Sequence, residues 1–130
     1  MKQLYKNRLL KLADHIVDRT KRGHKKFDFS TVTDSISNTC GTAGCAMGEC
    51  PIAFPKSFKF VTGGLVRLKR NSNQWLEKDI AQFFGLSGSQ VNHLFYPGLQ
   101  QTTLYGGKPL NMASKAAQVR KNILAFLEKI

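Results

Sequence analysis

Three cysteines, Cys40, Cys45 and Cys50, fall within eleven residues of one another in the run NTCGTAGCAMGECPIAF. These residue types permit three chemistries. A glycine–threonine turn that opens a helix exposes backbone N–H groups, which makes Gly41 and Thr42 candidates for a phosphate nest. A cysteine near a helix N-terminus can act as a nucleophile, with His15, His24 or His93 as its base. Three cysteines and a histidine can also bind zinc. The spacing argues against the metal: Cys40 and Cys45 lie five apart, about 140° around a helix, whereas zinc sites favour two-residue spacers. No neighbouring residues complete a cysteine-hydrolase signature. Buried small thiols packing a close-fitting helix account for the segment most simply, so neither enzymatic activity nor a cofactor is expected. An odd number of thiols suits a reducing compartment better than a disulfide framework.

The second chemistry is positive charge. The 130 residues hold 20 Lys and Arg against 8 Asp and Glu, a formal net charge of +12. By segment the net values are +7 for residues 1–26, −3 for 27–55, +5 for 56–70, −1 for 71–100 and +4 for 101–130. An excess of this size favours polyanions through its field and through counterion release. Three clusters are the candidate nucleic-acid contacts: Lys21, Arg22, Lys25 and Lys26; Arg67, Lys69 and Arg70; and Lys115, Arg120 and Lys121. A solvated surface explains isolated lysines equally well, and Asp18 can pair with Arg22 one helical turn away.

The elements that must position these groups are mostly helical. Leu9, Leu12, Ala13 and Ile16 recur at three and four, with Tyr5 and Val17 flanking, which predicts a helix from residue 3 to about 21 with one buried face. Residues 27–39 form a packed loop anchored by Phe27 and Phe29. If residues 42–48 are helical, Pro51 ends that helix. The alternation in SFKFVTGGLVRLKR predicts a β-hairpin with Phe58, Phe60, Leu65 and Leu68 on the packed side. Ser72 or Asn73 caps the next helix, which buries Ile80 and Phe83 or Phe84 and stops at Gly85. Ser87 and Gln90 form a capping box for a short helix through Val91, Leu94 and Phe95. Asn111 caps a last helix with the stripe Met112, Ala116, Val119, Ile123, Phe126 or Leu127, and Ile130. The fold class is therefore mainly α with one small β-hairpin (α+β), in one compact domain spanning residues 1–130.

Within this scheme DIAQFFGLSGSQVNHLF has helix-turn-helix spacing, with Ala81 where the helices meet and Gly85 in the turn. A DNA-reading second helix would offer Gln90, Asn92 and His93 to base edges. That helix has no Arg or Lys, so a helical hairpin of the core is the simpler expectation. Nothing approaches the roughly 20 apolar residues of a membrane span, and MKQLYKNRLLKLADHIV carries no signal-cleavage pattern; a cytoplasmic protein is expected.

The run CGTAGCAMG, the hairpin that follows, IAQFFGLSGSQVNHLFYPG and the terminal VRKNILAFLEKI together resemble a family of small phage, prophage and bacterial proteins with no established activity. LADHIVDR and KFDFSTV extend the resemblance over nearly the whole chain. Its most specific piece is CGT-x-x-C-x-x-G, formed by Cys40, Gly41, Thr42, Cys45 and Gly48. The resemblance implies the architecture and a phage setting, and no particular chemistry. The reading that emerges is a basic anion-binding protein that engages nucleic acid, DNA or RNA, with a regulatory or counter-defence role. The alternatives are an inhibitor or adaptor on an acidic host protein or ribonucleoprotein, a nucleotide-sequestering protein, and a cysteine-dependent enzyme.

Overall fold

A computed structural model of the chain describes residues 1–18, 26–27, 43–44, 46, 49–61, 65–68, 76–95 and 116–130. Helix α1, Gln3–Val17, buries Leu9, Leu12, Ala13 and Ile16, the stripe its periodicity predicts. It ends at Val17, four residues earlier than expected, because Asp18 turns to extended backbone and its N–H bonds to the His15 carbonyl. Valine and aspartate are weak helix formers, and aspartate competes for backbone bonds outside a helix. The predicted Asp18–Arg22 pair lies outside the described residues.

Lys26–Phe27 (β1) pairs in parallel with Ala43–Gly44 (β2). The helix expected at 42–48 is therefore corrected: its start is extended, in a run where Gly41, Gly44 and Gly48 each weaken a helix by about 1 kcal/mol. Helix formation begins instead at α2, Cys50–Ala53, where Pro51 occupies the opening turn. Pro51 starts this helix and does not end one, since proline's missing N–H would have no partner there and its φ is already helical.

Strands β3, Phe58–Val61, and β4, Leu65–Leu68, form the predicted antiparallel hairpin. The register sets Phe58 opposite Leu68, Lys59 opposite Arg67, Phe60 opposite Val66 and Val61 opposite Leu65. Side-chain alternation along a strand then assigns Val66, not Leu65, to the face of Phe58 and Phe60. Helix α3, Leu76–Phe84, leads through a tight turn into α4, Gly88–Phe95, and α5, Ala116–Lys129, closes the chain.

These elements share one compact core, mainly α with a small β element. Phe83 lies edge-on to Phe54, Phe58 and Phe84, with ring centroids 4.9 to 5.0 Å apart, so α3 ties α2 to the hairpin. Edge-to-face rings add about 0.5–1.5 kcal/mol per pair beyond their burial. Helix α5 buries Ala116, Val119, Ile123 and Phe126, as expected, while Ile130 is exposed, contrary to expectation, because it lies past the end of the helix. The most extensive helix–helix contact joins α1 to α5, and Arg120 Nε donates to Asp14 Oδ1 at 3.1 Å. That bond links the end of α1 to the start of α5, so the two run antiparallel.

Candidate functional site

Polar groups inside the core are the first place to look for chemistry, because burial without a partner costs several kcal/mol. His15 and Glu49 meet that condition. The His15 Nε2–H donates to Glu49 Oε1 at 2.7 Å, with the two side chains 8% and 1% exposed. Position 15 falls on the inner face of α1 beside Leu12 and Ile16, and Glu49 precedes α2, so the bond staples the first helix to the cysteine segment. An open depression of about 290 Å³ outside this pair is lined by Lys11, Asp14, His15 and Asp18. Two carboxylates among four lining residues make it a poor seat for a phosphate.

Cys50, buried in the first turn of α2, directs its thiol to the Ala46 carbonyl at 3.8 Å. His15, one of the candidate bases, spends its Nε2 on Glu49. Cys40, Cys45 and His24, with Gly41 and Thr42 of the candidate phosphate nest, lie outside the described residues. Among the described residues no group of three His, Cys, Asp or Glu side chains converges on a metal position.

The helical hairpin is built as its capping signals predict. Gly85 adopts φ +66°, and the Leu86 N–H reaches back to the Ala81 carbonyl at 2.8 Å, the closure of a Schellman turn. Ser87 N–H donates to Gln90 Oε1 at 2.9 Å and Gln90 N–H to Ser87 Oγ at 3.1 Å, which completes the capping box. This geometry changes the standing of the base-reading candidates. Gln90 uses its carbonyl oxygen in the cap, and His93 faces the core, 3% exposed, where desolvation lowers its pKa from 6.5. Asn92 alone of the three is fully on the outside. His93 is thus corrected from a surface reader to a core residue: its position in α4 puts it on the side occupied by Val91, Leu94 and Phe95.

Of the predicted phosphate contacts, Arg120 is half-exposed and bonded to Asp14, and Lys121 is exposed. Lys26 and Arg67 occupy β1 and β4. Lys21, Arg22, Lys25, Lys69, Arg70 and Lys115 lie outside the described residues. Four cations that the sequence reading passed over are positioned by the core itself. Arg8 lies 4.0 Å from the Phe83 ring centroid and donates Nη1 to the Phe83 carbonyl at 2.7 Å. Lys11 places its Nζ 5.2 Å from the Phe54 centroid. Lys56 and Lys59 follow Phe54 on the connection into β3. The only sequence signal for them was the absence of acid: neither residues 2–13 nor residues 50–61 contain a carboxylate.

Fold and site together define a mainly helical protein with a basic surface and a buried histidine–glutamate staple. No protein-family model matches the chain, and no curated protein or solved structure matches it.

Proposed function

We propose that this protein binds nucleic acid through its positively charged surface, with little preference for sequence. The carrying observation is how the eight acids are placed. Glu49 and Asp79 are buried, at 1% and 0% exposure, and Asp14 is held by Arg120. Lys2, Lys11, Lys56, Lys78, Lys121 and Lys129 are exposed. The surface is therefore richer in cations than the net charge of +12 conveys, and a polyphosphate that meets it releases counterions in proportion to the phosphates neutralised. Weak sequence preference follows from α4, which carries no Arg or Lys and turns His93 inward. A phage setting with a regulatory or counter-defence role, which the CGT-x-x-C-x-x-G resemblance implies, belongs to the same reading.

The test is binding of the whole chain to a short duplex across a salt series. Affinity is expected to fall by orders of magnitude between about 50 and 200 mM salt and to be the same for a scrambled duplex. An affinity indifferent to salt would rule out phosphate contacts as its source. A pull-down with and without nuclease treatment then separates nucleic acid from an acidic protein partner.

A further inference from the structure

We infer that the phosphate backbone of duplex nucleic acid is gripped along a cationic seam where α1 crosses the α2–β3 connection. The seam comprises Arg8, Lys11, Lys56 and Lys59. This rests on the nucleic-acid reading above and assigns its contact surface.

Three observations converge. First, the cations are positioned in advance. Arg8 is sandwiched between Phe83, at 4.0 Å, and Tyr5, at 5.9 Å, and anchored by its bond to the Phe83 carbonyl, while Lys11 lies over Phe54 at 5.2 Å. The Phe54 and Phe83 rings are themselves in edge contact, 4.9 Å between centroids, so the two cations rest on one rigid aromatic step. Lys56 is exposed two residues beyond Phe54, and Lys59 is half-exposed next to Phe58, which also meets Phe83 edge-on.

Second, the segments that form the seam contain no acid. Residues 2–13, 50–61 and 65–68 hold no Asp or Glu, and the nearest carboxylate along α1, Asp14, is bonded to Arg120 of α5. Lys59 stands directly opposite Arg67 across the hairpin. Like charges at facing positions destabilise a two-stranded pair. A bound anion relieves that repulsion, whereas solvent alone only screens it.

Third, the ligand chemistry follows from what covers the rings. Phe54 and Phe83 are buried, at 9% and 7% exposure, with cations over them. They offer no free face on which an unpaired base can stack, and stacking is the main non-ionic source of single-strand affinity. What the seam presents is a row of N–H donors without a reading element. That suits the regularly spaced phosphates of a duplex, whose charge density exceeds that of a single strand.

The experiment compares three full-length proteins. One is wild type, one carries Lys11→Glu, Lys56→Glu and Lys59→Glu, and one carries Lys2→Glu, Lys78→Glu and Lys129→Glu. Both variants change the net charge by the same amount at exposed or half-exposed positions, and Arg8 is left in place because it also supports the end of α3. Equal melting temperatures confirm that the folds are intact. Each protein is titrated with duplex DNA, duplex RNA, a single strand of the same length and polyglutamate. The seam variant should lose about tenfold or more in duplex affinity, and its log–log salt slope should shrink by about 3, one for each lost phosphate contact. The control variant should change the slope by less than about 1. Wild type should prefer either duplex to the single strand. Equal losses in the two variants would overturn the seam while leaving the nucleic-acid reading standing. Failure of wild type to bind any nucleic acid would overturn both, and polyglutamate binding as tight as duplex would replace the phosphate backbone with an acidic polypeptide.

Discussion

His93 sits on the inner side of α4, and burial lowers its pKa from 6.5 because a charged imidazole is poorly solvated there. The sign of the linkage follows. In the unfolded chain the imidazole takes up a proton as pH falls through about 6.5, while in the fold it stays neutral to lower pH. Stability is therefore fully present above pH 6.5 and declines as pH drops toward the folded value. The limiting slope for one such proton is about 1.4 kcal/mol per pH unit. His93→Gln should flatten this limb of the stability–pH curve, measured by urea denaturation at a series of pH values from 7.5 down to 5 (about two units spanning the ordinary histidine range). An unchanged slope would show that other groups carry the acid dependence. At the same scale, the His15–Glu49 bond shows how a histidine that the sequence offers as a base can instead serve as a staple, because its position on α1 points it at a carboxylate inside the fold.

At the scale of elements, the turn between α3 and α4 concentrates several constraints in three residues. Gly85 has φ +66°, and a Cβ built there would come 2.4 Å from Tyr5 Cδ2 on α1. The glycine thus serves both the left-handed turn and the close approach of the first helix. Gly85→Ala should cost about 2–4 kcal/mol, combining the left-handed backbone penalty with overpacking against the ring. Urea denaturation measures the loss, and the double variant Gly85→Ala/Tyr5→Ala should recover part of it if the clash contributes. Ala81, expected at the closest approach of the two helices, is only partly buried, and the close approach falls at Gly85 instead. The helix-turn-helix spacing is served by core packing: Ile80, Phe84, Leu86, Val91 and Leu94 all lie in the core. The same apolar spacing builds either a recognition unit or a packing unit, so the spacing alone cannot tell them apart.

At the scale of the whole molecule, stability rests on α1 and α5 lying antiparallel across the hairpin of helices, and function on the charge left outside. Phe126 is fully buried in α5 and belongs to the same core as Leu9, Ile16 and Phe84. Phe126→Ala should cost about 3–5 kcal/mol, enough to remove much of the 5–15 kcal/mol typical of a domain, as read by thermal or urea unfolding. The Asp14–Arg120 bond across the exposed edge of the same helix pair contributes far less, about 0–1 kcal/mol. No helix among the described residues is long and apolar enough to cross a membrane.

What the sequence determined by itself was whatever depends on neighbours along the chain. The 3.6-residue stripes of α1 and α5, the alternation of β3 and β4, the stop at Gly85 and the Ser87–Gln90 box each involve residues a few positions apart, where local geometry leaves little choice. Local signals failed where they conflicted: glycine and alanine around residues 42–48 admit a helix or an extended segment, and the contact with Lys26–Phe27 decided for the strand. The basic character was legible from composition, but its placement was not. Arg8 lies 75 residues from the Phe83 carbonyl it holds, and His15 lies 34 from Glu49. Neither partner could be found from spacing along the chain, because pairing at that distance exists only once the core has brought the helices together. Only the tertiary structure turned His93 inward, paired Asp14 with Arg120, and set four scattered cations beside one aromatic step.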